Sequence, residues 1–179
     1  ADFSGQISAI SKSQAVIEFD MDGTIRDANT NFLDVTHYKL AEIKGQHHSM
    51  FVDALLKQSA EYRSFWQKLQ RGEFISGEFK RIDKNGEEIW IQASYNPIMD
   101  LNGKPFKVVK YATDITEEKI RNADYSGQLE AISKAQAVIE FNLDGTIIKA
   151  NENFLTTLGY RLEEIKAKHH SMFVEKEYR

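Results

Sequence analysis

Two adjacent histidines lie in a short sequence motif that occurs twice in the chain. The sequence reads GQHHSMFVD at residues 45–53 and AKHHSMFVE at residues 167–175. Neutral imidazole is the commonest metal ligand in proteins and an axial ligand of haem. His47 and His48 are therefore candidate ligands of haem b, although adjacent helical residues point about 100° apart, so only one can face a given site. The alternative is a polar turn with one buried, hydrogen-bonded imidazole.

Composition excludes several other kinds of chemistry. The chain has no cysteine, which excludes disulfides, thiolate metal sites and a cysteinyl cofactor adduct. It has no Gly-rich phosphate loop, nucleophile elbow or HExxH motif, so we expect no enzyme activity. A net charge of −4 argues against nucleic acid or an anionic membrane surface as partner. Without a signal peptide or an apolar span, we expect a cytoplasmic location and no membrane contact.

The repeat extends far beyond the histidines. Residues 1–57 align without a gap on residues 123–179, and about 35 of the 57 pairs are identical. A period this long indicates tandem domains rather than a solenoid. The second copy ends opposite Lys57, so we expect a complete first unit and a truncated second unit.

The complete unit alternates short strands with helices. Residues 15–19 and 24–27 read as two strands joined by Asp-Gly, and residues 59–72 read as an amphipathic helix. Asn-Gly turns then separate three more strands at 77–82, 88–95 and 106–113. The predicted fold class is α+β, with a five-stranded antiparallel sheet, helices on one face and an N-terminal flanking helix.

The middle strand of that meander predicts a pocket. Side chains alternate across a strand, so one set should line an apolar pocket and the other should face outward. The inward set is Ile89, Ile91, Ala93 and Tyr95, and the outward set is Trp90, Gln92, Ser94 and Asn96.

Each copy is preceded by an apolar stripe at helical spacing. Phe3, Ile7 and Ile10 form the first stripe, and residues 125, 129 and 132 repeat it. We expect the first stripe to be buried against the sheet or against a second subunit, which would make the protein a homodimer.

This order of elements resembles the PAS sensor domain. The segment from FWQKLQRGEF to DITEEK, residues 65–119, carries the resemblance, and Asp114-Ile115-Thr116 matches the motif that ends many PAS sheets. The sequence is similar to that of the tandem PAS modules of bacterial methyl-accepting chemotaxis proteins, including the biofilm-dispersion type. The resemblance implies a flanking helix (1–13), a complete PAS domain (14–116), a linker helix (117–136) and the N-terminal half of a second PAS domain (137–179).

The resemblance also limits which cofactors the chain is expected to bind. The light-sensing branch of the family has a cysteine in the segment that holds the His-His phrase, and it has pocket amides where Ile91 and Ala112 stand here. Trp66 lies where redox regulators of the family often carry an aromatic residue, so non-covalent FAD is the second candidate after haem. The alternatives are core packing for Trp66 and no cofactor at all.

These observations together predict a signal input module. It would sense redox state, oxygen or a small ligand, and Asp114, Ile115 and Thr116 would relay the change to a downstream chemotaxis signalling domain. The rivals are a ligand-free interaction domain, and a PAS input to a diguanylate cyclase or histidine kinase. The second half-unit should be either poorly ordered or completed by another chain, as in a homodimer domain-swapped through 123–179.

Overall fold

The structure is a computed structural model that describes residues 2–175. The chain forms two compact units that divide between Lys119 and Ile120. The first unit is built on a five-stranded antiparallel sheet with the order β2-β1-β5-β4-β3, which confirms the predicted α+β class. The strands are β1 (Ala15–Phe19), β2 (Ile25–Ala28), β3 (Ile75–Ile82), β4 (Glu88–Met99) and β5 (Pro105–Asp114).

Helices lie before, within and after this sheet in the chain. Those between β2 and β3 pack on the inner face of the sheet. Helix α1 precedes the sheet, and α6 continues directly from its last strand. The helices are α1 (Asp2–Ser13), α2 (Thr30–Thr36), α3 (Leu40–Ile43), α4 (Ala54–Gln58), α5 (Ala60–Gln70) and α6 (Thr116–Ala135), and a 3₁₀ turn spans His48–Phe51.

One amide side chain fixes where α2 begins. The Asn29 carbonyl accepts hydrogen bonds from the backbone N–H of Phe32 at 3.0 Å and of Val16 at 2.9 Å. Its NH₂ group donates to the carbonyls of Ser11 and Gln14, each at 2.8 Å. Asn29 is therefore an N-cap that also ties the end of α1 and the start of β1 to α2.

The inner face of the sheet forms the core together with α5. The predicted division of β4 is confirmed, because its inward set is buried and its outward set is not. Helix α5 begins after the N-cap Ser59 and turns three residues toward the sheet. The buried residues of α5 are Tyr62, Trp66 and Leu69.

Helix α1 does not bury its apolar stripe within the chain. Ile7 is 65% exposed and Ile10 is 42% exposed. The side chain of Phe3 lies outside the described residues. Of the two covers predicted for this stripe, the sheet does not bury Ile7 or Ile10. Cover by a second subunit remains a prediction.

Within the described residues, the second unit repeats the first half of the first unit. Strand β6 (Ile139–Phe141) pairs with β7 (Ile147–Ala150) in a two-stranded sheet. Helices α7 (Glu152–Leu158) and α8 (Leu162–Ile165) follow, and then a 3₁₀ turn over His170–Phe173. This is the truncated unit that the sequence predicts.

Candidate functional site

His48 is fully buried at the start of the first 3₁₀ turn, and both of its ring nitrogens are engaged. Nδ1 lies 2.8 Å from the Tyr62 hydroxyl, and Nε2 lies 3.1 Å from the Tyr95 hydroxyl. Burial, and then the nearby charges of Arg81 and Lys110, hold the pKa of His48 well below 6.5. A neutral imidazole has one N–H, so His48 donates to one tyrosine and accepts from the other.

His47 lies at the surface and joins the 3₁₀ turn to the β1–β2 hairpin. Its Nδ1 accepts a hydrogen bond from the Ser49 N–H at 3.1 Å, and its Nε2 donates to the Asp22 carbonyl at 2.9 Å. Gly23 sits against the same ring with φ +90, and a Cβ there would lie 2.5 Å from Nε2. The His47 ring therefore packs against the Asp-Gly turn and bonds to it, which gives this histidine a structural role.

The described arrangement does not fit haem at either predicted ligand. An axial ligand needs a free nitrogen lone pair directed at the iron. Both nitrogens of His47 and of His48 already have partners within the chain. Between residues 2 and 175 no group of three or more His, Asp and Glu side chains is placed to hold a metal ion. We therefore derive no haem chemistry for this site.

Trp66 packs in the core, which is the alternative that the sequence left open. Its ring meets Phe19 edge-on at a centroid distance of 5.8 Å and His48 at 5.5 Å. The indole Nε1 is buried and has no hydrogen-bond partner among the described residues. Trp66 thus packs its aromatic ring against His48. It does not line the cavity described next.

Three of the predicted pocket residues do come together. Ile89, Ile91 and Ala112 line one cavity between the sheet and α2, with Phe32 and Phe51 opposite them. The volume open to the centre of a water molecule is about 10 Å³, which is room for about one water. The three-ring flavin system does not fit this space, and the side chains of Ile91 and Ala112 offer it no hydrogen bond. The residues present do not fit FAD in this arrangement.

Two cations that we did not predict from the sequence face the same cavity. Lys110 is 1% exposed and Arg81 is 5% exposed. Sequence alternation could have found Lys110, because on β5 it is in phase with the inward residues Val108 and Ala112. We overlooked this signal because lysine and arginine are rarely buried without a partner.

Both cations converge on Tyr95. The Arg81 Nη2 donates to the Tyr95 hydroxyl at 3.1 Å, and the Lys110 ammonium lies 4.9 Å from the centre of the Tyr95 ring. Burial alone would raise the pKa of Tyr95, but the charges of Lys110 and Arg81 hold it below its ordinary value. Burial lowers the pKa of Lys110, and burial raises the pKa of Tyr62 to about 12.

The three predicted relay residues form the junction between the sheet and α6. The Thr116 hydroxyl donates to the Asp114 carboxylate at 2.6 Å and accepts from the Trp90 N–H at 2.9 Å. The Ile115 N–H donates to the Trp90 carbonyl at 2.9 Å. The Lys119 ammonium lies 5.1 Å from the centre of the Trp90 ring. The first turn of α6 is therefore bonded directly to β4.

Asp114 belongs to two arrangements at once. The residue is exposed but is among those that line the cavity, with Arg81 and Lys110, and its carboxylate caps the first turn of α6. In the sheet, Asp114 pairs with Ile91, which lines the cavity as well. The cavity and the start of α6 therefore share one residue.

A separate property concerns the helices. None of those in residues 2–175 combines the length and the apolar character that crossing a lipid bilayer requires.

Comparison with known proteins gives close relatives. The chain is 44% identical over 173 residues to the biofilm dispersion protein BdlA of Pseudomonas aeruginosa. This alignment covers 97% of the chain and 42% of BdlA. It is also 33% identical over 101 residues to the aerotaxis receptor of Escherichia coli, in an alignment that covers 56% of this chain and 20% of the receptor. The chain thus spans less than half the length of these two relatives.

A solved structure shares the fold. The PAS domain of a protein from Colwellia psychrerythraea superposes with a TM-score of 0.57 at 20% identity, over 65% of this chain and 99% of that one. A family model described as PAS fold matches residues 11–120, and a second one, described as PAS domain, matches residues 136–179. With a family match over more than half of its length, and with the sheet order and junction described above, this chain belongs to the PAS family.

Proposed function

We propose that the chain is the sensory part of a cytoplasmic chemotaxis signalling protein. The first unit responds to a small ligand in its interior, and α6 carries the response to an output domain. The relatives named above, a biofilm dispersion protein and an aerotaxis receptor, support a signalling role. The chemotaxis output itself rests on this similarity.

The observation that carries the proposal is the double role of Asp114. Asp114 is exposed but is one of the residues that line the cavity, and its carboxylate accepts from both the N–H and the hydroxyl of Thr116. Thr116 in turn accepts a hydrogen bond from Trp90. A change in the cavity that moves Asp114 therefore changes the bonds that orient the first turn of α6. A switch of this kind needs only two alternative arrangements of one short segment.

The test is a substitution at the junction in the full-length protein. Thr116→Val removes the hydroxyl that bonds Asp114 and Trp90, whereas Thr116→Ser keeps it. Thr113→Val is a matched control on an exposed neighbour in β5. We expect Thr116→Val alone to abolish stimulus-dependent changes in swimming reversals while the melting temperature stays within a few degrees of wild type. A normal response in Thr116→Val would contradict the relay.

The second candidate function is a ligand-free interaction domain, and the small cavity favours it. An absorbance spectrum of the purified protein tests what both candidates share, since we expect neither a Soret band nor flavin bands. A haem or flavin band would mean that the interior rearranges around a cofactor and would overturn our reading of the cavity.

A homodimer is part of the same proposal. Strand β1 pairs with β2 on one side and β5 on the other, whereas β6 pairs with β7 alone. An unpaired strand edge invites association. Completion of this edge by strands of a neighbouring chain would be a domain swap through residues 123–179.

A further inference from the structure

We propose that the cavity beside Arg81 and Lys110 binds chloride or a monovalent anion of similar size. This proposal rests on the sensory role proposed above and names the chemical class of the ligand. The anion would lie between the two cations and carry the negative charge that the interior lacks.

The charges around this cavity are not balanced by the chain. Neither Arg81 nor Lys110 forms a salt bridge with any carboxylate among the described residues. Asp114 also lines the cavity and contributes one negative charge, and its Oδ1 accepts hydrogen bonds from Thr116. Burying a charge is costly unless the charge is paired. Two nearly buried cations facing a cavity with one carboxylate therefore leave one positive charge without a partner.

The Arg81 side chain offers an unused donor. Its Nη1 donates to the Lys80 carbonyl at 2.7 Å and its Nη2 donates to Tyr95 at 3.1 Å. Its Nε is buried without any partner in the described part of the chain. Buried donors are nearly always satisfied in proteins, so an unsatisfied guanidinium N–H next to a cavity points to an absent acceptor.

The size and lining of the cavity limit what this acceptor can be. Room for about one water admits chloride but excludes an organic anion such as acetate. The remaining walls are largely apolar, with Val35, Ile89 and Ile91 among them. A second negative charge would exceed the single positive charge that Asp114 leaves unpaired.

The experiment measures thermal stability in different anions at one ionic strength. Wild-type protein is melted in sodium gluconate and in sodium acetate, whose anions are too large for the cavity, and then in sodium chloride. At a chloride concentration of about ten times Kd we expect the melting temperature to rise by about 4 °C or more over gluconate, since a ligand that binds only the folded state stabilises it. An equal rise in acetate would contradict the assignment to chloride.

Two variants and one control make the result specific. Lys110→Met and Arg81→Gln should each lose the rise, whereas Lys44→Met, which removes an exposed charge, should keep it. If one cavity variant fails to fold, the other still decides. An equal melting temperature in all three salts, or a rise that persists in the cavity variants, would overturn the proposal.

Tyr95 provides a further check. If its phenolate supplied the missing charge, the protein would show tyrosinate absorbance at neutral pH that Tyr95→Phe removes, and that outcome would also overturn the proposal. None of these measurements involves Thr116, so a failed anion test leaves the relay to stand or fall by its own experiment.

Discussion

The two copies of the repeated segment have the same local structure but differ in burial. Asn151 accepts from the N–H groups of Phe154 and Val138 at 2.9 Å, just as Asn29 does with its own partners. The His169 ring accepts from Ser171 at 3.1 Å, as His47 does from Ser49. Even the irregular pairing at the end of the first strand is repeated.

Burial separates the copies because only the first has strands β3–β5. Phe19 is fully buried, whereas its counterpart Phe141 is 40% exposed. His48 is fully buried between two tyrosines, whereas His170 is exposed. The turns and caps therefore depend on nearby sequence, but the core and the candidate site depend on the three strands that the second copy lacks.

The largest expected effect comes from separating the two copies. Residues 1–122 should remain folded alone, because every strand of the five-stranded sheet is present. Residues 123–179 alone should be largely unfolded, because a two-stranded hairpin is marginally stable in water. Circular dichroism and thermal melting of the two fragments measure this difference.

The same fragments test the domain swap. If residues 123–179 join two chains, their deletion should lower the mass in solution to that of a monomer. Sedimentation that gives one and the same oligomeric state before and after the deletion would sink the swap.

The matched phenylalanines should differ in their contribution to stability. Phe19→Ala should lower the free energy of unfolding by about 3–5 kcal/mol, because it opens a cavity in the core. Phe141→Ala should cost much less, since that ring is already partly in water. Urea denaturation of both variants gives the comparison, and equal losses would mean that the second copy is buried against another chain.

The matched histidines should differ for a related reason. His48→Ala leaves the Tyr62 and Tyr95 hydroxyls without their shared partner and should cost about 2–4 kcal/mol. His170→Ala should be nearly neutral, because that side chain is exposed. Denaturant midpoints measured side by side would show whether this order is reversed.

His48 also predicts a pH dependence. Burial holds its pKa in the folded state well below 6.5, so only the unfolded chain gains a proton as pH falls through 6.5. Folding stability should therefore decrease below that pH, by about 1.4 kcal/mol for each further unit until the folded pKa is reached. His48→Phe should flatten this part of the profile, and a slope unchanged in this variant would assign it to other groups.

The smallest expected difference between the copies concerns their N-caps, whose losses should be alike. Asn29→Ala and Asn151→Ala each remove an N-cap that also bonds the preceding strand, at a cost of about 1–2 kcal/mol for the local structure. In the full chain, hydrogen exchange at the first turns of α2 and α7 reports each loss separately. Slower exchange at α7 than at α2 in the matched variants would mean that the second copy has support beyond its own sequence.

Much of the fold follows from local patterns. Asn-Gly turns predicted the β3–β5 meander, and helical spacing predicted α5 with its three buried residues. These patterns succeed because their causes lie within a few residues. Spacing identifies the apolar stripe of α1 without identifying what covers it, so its cover by a second subunit stays a prediction.

The candidate site was less predictable. The contact between His48 and Tyr95 joins residues 47 positions apart, and Arg81 reaches the same hydroxyl from another strand. No local sequence pattern encodes contacts between side chains so far apart. The repeated histidines therefore suggested a metal ligand, whereas His48 lies in a network of side-chain hydrogen bonds. Ile89 and Ile91 were found because strand alternation does reach them, and Ala112 was found through the resemblance to the PAS family.

The pairing of β1 with β5 has a consequence for synthesis on the ribosome. Val16 pairs with Tyr111, so at about 5–20 residues per second β1 waits roughly 5–20 seconds for its neighbour. The near-identical β6 emerges only after β5. Translation order therefore gives β1 the first opportunity to pair, and we expect chains refolded from denaturant, in which both copies compete at once, to yield more misassembled protein than chains made by translation.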